Sequence, residues 1–97
     1  MTDLHSPSID KLFQAVLSLR STEECYAFFE DLCTVKELKD MAQRLSVALL
    51  LDDGMSYQAV TSRVQVSSAT ITRVKKCLEY GSGGYELVIG RMQEETA

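Results

Sequence analysis

Ninety-seven residues, 45% hydrophobic and 25% charged, are enough for one small domain, and a formal net charge of −4 gives no whole-chain reason to expect a polyanionic partner. Three cysteines without CxxC spacing and a single histidine, His5, assemble neither a zinc site nor a disulfide framework, and no glycine-rich phosphate loop is present. The expectation is a chain that is not an enzyme, needs no cofactor and, with its longest apolar run only Val47 to Leu51 and no signal peptide, is soluble, cytoplasmic and without a membrane partner.

In chain order, Ser8 offers the cap of a first helix whose Ile9, Leu12, Phe13, Val16 and Leu17 form a stripe at helical spacing. Ser21-Thr-Glu-Glu24 has the form of a capping box. It opens a second helix bearing Cys25, Tyr26, Phe28, Phe29, Leu32 and Cys33, a set too broad for one stripe, which predicts burial on more than one side. The three thiols are expected to be reduced and mostly buried. Thr34-Val-Lys-Glu37 is a second capping box and starts the longest helix, running to about Leu51 with Leu38, Met41, Ala42, Leu45, Ala48 and Leu49 in helical register. Asp52-Asp53-Gly54 ends it, with Gly54 as the left-handed terminal residue. These three helices carry more apolar surface than their neighbours downstream can cover. They form either an ordinary intramolecular core or a face for a second copy.

The stretch from Met55 to Leu78 organises the chain. Ser56 and Ser67 are both good N-caps. They predict one helix from Tyr57 to about Val64 and another from Ser68 to about Glu79, leaving Gln65 and Val66 for a sharp corner. Val60, Val64, Val66, Ile71 and Val74 stand at positions 4, 8, 10, 15 and 18 when Tyr57 is counted as 1. That is the spacing of a DNA-binding helix-turn-helix, whose second helix lies in the major groove. Gln65 occupies the corner position usually held by a left-handed glycine, so either Gln takes that conformation at a cost of about 1 kcal/mol or the turn differs slightly. Charge agrees with the motif: residues 1–53 carry ten acids and five bases, residues 54–78 carry Arg63, Arg73, Lys75 and Lys76 and no acid, and the remainder returns to net negative. The candidate DNA-binding set is Gln58, Thr61, Arg63, Ser67, Ser68, Ala69, Thr70, Thr72, Arg73, Lys75 and Lys76. Arg63, Lys75 and Lys76 suit phosphates, with the helix start at Ser56 presenting amides to the backbone. Ala69, Thr70, Thr72 and Arg73 suit base edges, since Ala and Thr meet a thymine methyl and Arg grips guanine.

Beyond Leu78, Glu79-Tyr80-Gly81-Ser82-Gly83-Gly84-Tyr85 stops the second helix and reverses the chain. Tyr80 and Tyr85 beside that turn read first as packing residues and second as contacts to a ligand or DNA. A last short helix over 85–94 carries Tyr85, Leu87, Val88, Ile89 and Met92, with the tail from Met92 fraying. Nothing alternates at strand period, so the class is all-α with about six helices.

Ala69-Thr-Ile-Thr-Arg73, the Gly54-Met-Ser56 lead-in and Cys77-Leu-Glu-Tyr-Gly-Ser-Gly-Gly-Tyr85 resemble the Trp-repressor superfamily in its YerC/YecD-type branch. The likeness extends more weakly through Leu32-Cys-Thr-Val-Lys-Glu-Leu38 and Gln43-Arg44-Leu45. The resemblance implies an intertwined homodimer, residues 8–52 serving the dimer and core, 56–79 the helix-turn-helix and 85–94 the C-terminal helix of a single domain 1–97. It implies a bacterial, sequence-specific transcriptional regulator, a repressor, bound to double-stranded DNA with several base contacts running through water. The reading from another class is an adaptor that docks the same helix pair on a protein. Arg44 and Arg73 match, Arg44 only approximately, the arginines that hold the effector in the Trp repressor. There a glycine follows the second arginine and makes room for the indole, whereas Val74 stands here, so L-tryptophan is not expected to be the effector.

Overall fold

The computed structural model describes residues 4–96, and among them the secondary structure is entirely helical. Six helices follow one another: α1 Pro7–Leu17, α2 Thr22–Leu32, α3 Val35–Asp52, α4 Tyr57–Arg63, α5 Ser68–Tyr80 and α6 Gly84–Thr96. Side-chain hydroxyls define most of the starts. Ser6, not Ser8, caps α1 by accepting from the Ile9 amide, because Pro7 takes the first helical position, where its missing N–H costs nothing. Ser21 accepts from the Glu24 amide, while the Glu24 carboxylate reaches one residue further back to the Arg20 amide at 2.8 Å. At α3 the capping box closes fully. Thr34 Oγ1 accepts from the Glu37 amide at 3.1 Å and Glu37 Oε1 from the Thr34 amide at 2.8 Å. Those two bonds to Thr34, the backbone one first, hold the Glu37 carboxyl below its ordinary pKa. The far end of α3 is a Schellman turn. The Met55 amide bonds the Leu50 carbonyl, the Gly54 amide bonds the Leu51 carbonyl, and Gly54 takes φ +89° as expected.

Backbone contacts group the chain into two compact units, Met1–Leu38 and Lys39–Ala97. The first contains no fully buried side chain among its described residues. Phe28 and Phe29 meet edge to face with ring centroids 5.5 Å apart, yet Phe13, Leu17, Tyr26, Leu32 and Val35 are exposed, Leu17 at 84%. Among the described residues α2 has no fully buried side chain, and only Phe28 and Phe29 are half-buried, so the burial expected on more than one side is not reached. Cys25 and Cys77 are exposed and Cys33 half-buried, so the thiols are not the core residues the composition suggested.

The second unit holds the core: Val47 and Ala48 of α3, Val60 of α4, Ile71 and Val74 of α5, and Ile89 of α6. Leu49, Leu50, Leu51, Met55, Val66, Leu78 and Tyr85 pack round them. On α3 the expected stripe holds in part: Ala48 is buried and Leu38, Leu45 and Leu49 are half-buried. Met41 and Ala42 are exposed, whereas Val47 is fully buried. The run Val47 to Leu51 is apolar on all sides, so tertiary packing rather than periodicity selects its inner face. Tyr85 packs on the core, but Tyr80 stands 77% exposed. The last helix starts one residue before the expected Tyr85 and continues through the tail to Thr96, with Ala97 outside the described residues. Gln93 Nε2 donates to Asp52 Oδ2 at 3.3 Å, tying α6 to the end of α3.

Candidate nucleic-acid interface

The corner between α4 and α5 is built as its serines and valines dictate. Ser56 Oγ accepts from the Ala59 amide at 3.1 Å and Ser67 Oγ from the Thr70 amide at 3.2 Å. Val60, Ile71 and Val74 are fully buried, and Val64 and Val66 are half-buried. Gln65 does not adopt the left-handed conformation, since no described non-glycine residue has positive φ. The Val66 amide instead bonds the Val64 carbonyl at 2.9 Å, closing a three-residue turn around Gln65. The strain anticipated there is avoided by a different turn. A side-chain bond also spans the corner: Tyr57 Oη donates to the Ser68 carbonyl at 3.0 Å.

At 100° per residue, Ala69, Arg73, Lys76 and Tyr80 share a stripe about 60° wide on α5, on the side turned away from Ile71, Val74 and Leu78. All four are exposed. Ser68 and Thr72 are exposed on one flank of that stripe. Thr70, on the other, is half-buried, with its hydroxyl 3.0 Å from that of the capping Ser67. Lys75 lies nearest the buried side of the helix. It lines an open cavity of about 500 Å³ together with Leu51, Asp52, Tyr57, Leu78, Glu79 and Glu86. Three carboxylates thus share its surroundings, and it stands off the stripe that carries Arg73 and Lys76.

On α4, Gln58, Thr61 and Arg63 are exposed. Thr61 Oγ1 donates to the Tyr57 carbonyl at 3.0 Å, which occupies its one donor within the helix. Arg63 falls on the other flank, about 120° from Tyr57 around the axis. The fold therefore gathers Ala69, Thr72, Arg73 and Lys76, keeps Ser67, Ser68 and Thr70 at the head of the same helix, and sets Arg63 and Lys75 apart. Tyr80, read from the sequence first as a packing residue and left out of the candidate set, stands on this stripe as well. Its spacing of seven from Arg73, two turns of helix, was the available signal.

Arg44 is half-buried on α3 and Arg73 exposed on α5, and neither lines the cavity beside Lys75 or the apolar one of about 510 Å³ walled by Leu45, Cys77, Gly81, Ser82, Gly84, Tyr85 and Val88. Val74 is 1% exposed and belongs to the core. Among the described residues no group of His, Cys, Asp or Glu is arranged to hold a metal ion, and no helix is long and apolar enough to cross a membrane.

Comparison with known proteins agrees with this geometry. The family model for the Trp repressor protein matches residues 7–93. The uncharacterized protein YerC of Bacillus subtilis (strain 168) is 46% identical over 91 residues, covering 94% of this chain and 88% of that protein. A crystal structure from Staphylococcus aureus, provisionally described as a Trp repressor, superposes with a TM-score of 0.90 at 42% identity, covering 93% of this chain and 90% of that one. A TrpR-like protein from Eubacterium eligens superposes at 0.89 with 40% identity, covering 93% of each chain.

Proposed function

The chain belongs to the Trp repressor family, a family of DNA-binding regulators, and on that premise we propose that it is a sequence-specific repressor acting as a homodimer on double-stranded DNA. The observation that carries the reading is the α5 stripe. Arg73 and Lys76 stand exposed and in line on a helix whose opposite side is locked into the core, within a segment of 25 residues that contains no acid. A rigid cationic face of this kind can lie in a major groove, where Arg73 reaches guanine and Thr72 and Ala69 meet thymine methyls. Lys76 and Arg63 serve phosphates and set register without reading sequence. Lys75, among Asp52, Glu79 and Glu86, contributes less.

The dimer rests on a different part of the chain. Residues 4–38 expose Phe13, Leu17, Tyr26, Leu32 and Val35 and bury no side chain completely, an arrangement a soluble monomer seldom sustains. A second copy would cover that surface and would present two reading heads to two half-sites about one helical turn apart, on the order of 34 Å.

Selection from a random duplex pool, followed by titration of the recovered sequence at rising salt, tests the proposal. Four to six phosphates neutralised per dimer give a slope of log affinity against log salt of about −4 to −5. Failure to enrich any sequence, with no duplex bound at low salt, would favour the adaptor that docks these helices on a protein.

A further inference from the structure

We infer that Tyr57 is a positioning residue, a clasp that fixes the angle between α4 and the reading helix α5 and thereby sets sequence discrimination. The inference deepens the DNA-binding reading and rests on it. The turn at Gln65 is held by one bond across three residues, with Val64 extended at φ −128° and ψ 126°, and α4 has only 7 residues. The packing of Val60 on Ile71 and Val74 sets the approximate angle at this corner, but a helix of 7 residues is not stable in isolation and leaves room for a further tie. The Tyr57 hydroxyl spans the gap directly, donating to the Ser68 carbonyl at 3.0 Å. It joins the first residue of α4 to the first residue of α5, each preceded by its capping serine. Tyr57 is 39% exposed and is not among the residues packed on the core cluster, whereas its hydroxyl is committed to one acceptor. Base readout tolerates little displacement of Ala69, Thr72 and Arg73, because a bidentate contact needs both donors in register. Phosphate attraction is far less sensitive to such a displacement.

Tyr57→Phe removes the hydroxyl and keeps the ring, and should therefore separate discrimination from attraction. Measured on the full chain, affinity for the selected duplex should fall roughly three- to tenfold, the loss of one neutral hydrogen bond. Affinity for an unrelated duplex of equal length should stay within about twofold, and the salt slope should not change. Equal losses on both duplexes would overturn the clasp in favour of a direct phosphate contact, and so would no loss on either. Residual dipolar couplings of the free protein judge the clasp without DNA. A broader or shifted α4–α5 angle in Tyr57→Phe supports it, and an angle identical to the parent's overturns it even if the parent selects no sequence at all.

Discussion

Truncating Val74 to alanine should destabilise the protein by about 2 kcal/mol, and to glycine by about 4 kcal/mol. Val74 is 1% exposed and sits in a core of only six fully buried side chains, with Ile71 and Leu78 on the same face of α5. Alanine deletes two methyl groups at about 0.8 kcal/mol each, and incomplete collapse of the space adds a few tenths. Glycine removes a third carbon and adds about 1 kcal/mol for an interior helical position. Thermal unfolding followed by circular dichroism at one fixed protomer concentration should show the alanine variant about 8–16 °C below the parent. The same side chain bears on the ligand. The isopropyl group fills the position where the family's tryptophan-responsive repressor keeps a glycine, so calorimetric titration with L-tryptophan should give no saturable binding tighter than about 100 μM, roughly −5.5 kcal/mol. A loss below about 0.5 kcal/mol for alanine would show that Val74 is not a core residue. Saturable tryptophan binding to the parent would refute the argument from its volume.

Arg73→Ala should abolish discrimination between the selected and an unrelated duplex while leaving helicity intact, since the side chain stands on the exposed stripe; retention of discrimination would remove Arg73 from the groove. Leu17→Asp, at a site 84% exposed in the single chain, should shift sedimentation from dimer to monomer, and an unchanged dimer would place the interface elsewhere. The Glu37 carboxyl is held below its ordinary pKa by its bonds to Thr34, so the stabilisation it supplies is complete above the unfolded value of about 4.3 and is lost as pH falls through the lower folded value. Glu37→Gln keeps the box without the charge, so the melting-temperature gap between parent and variant should close between pH 5 and 3, in the direction of about one protonation; a gap independent of pH would mean that the charge is not what holds the helix start.

Local chemistry was the legible part of this chain. Ser21, Thr34, Ser56, Ser67 and Gly54 each act within four residues of themselves, and each terminates its helix where its side chain or backbone preference says it should. Val60, Ile71 and Val74 were legible for a related reason, because two short helices and a fixed corner leave one way to bury them. The pattern fails where a choice depends on a distant partner. Phe13, Leu17 and Tyr26 announce apolar surface, but composition cannot say that they stand exposed among the described residues. The α1 start shows a signal that was present and outweighed: Ser8 suited the apolar stripe, while Pro7 and Ser6 together mark the boundary one turn-step earlier. In the candidate interface, residue type pointed to four cations, and only the helical wheel of α5 separated Arg73 and Lys76 from Lys75, which lines an open cavity that Asp52, Glu79 and Glu86 also line.

Five consecutive helices, α1 to α5, open on an uncharged hydroxyl: Ser6, Ser21, Thr34, Ser56 and Ser67. Such bonds act over about 3 Å between neutral groups, well inside any ionic atmosphere, and dissolved ions barely weaken them. Phosphate contacts behave oppositely, because each one formed releases counterions. On the proposed DNA-binding reading, rising salt would therefore release a duplex long before it unfolded the protein. Still folded, the chain would leave the duplex, and lowering the salt would restore binding without a refolding step.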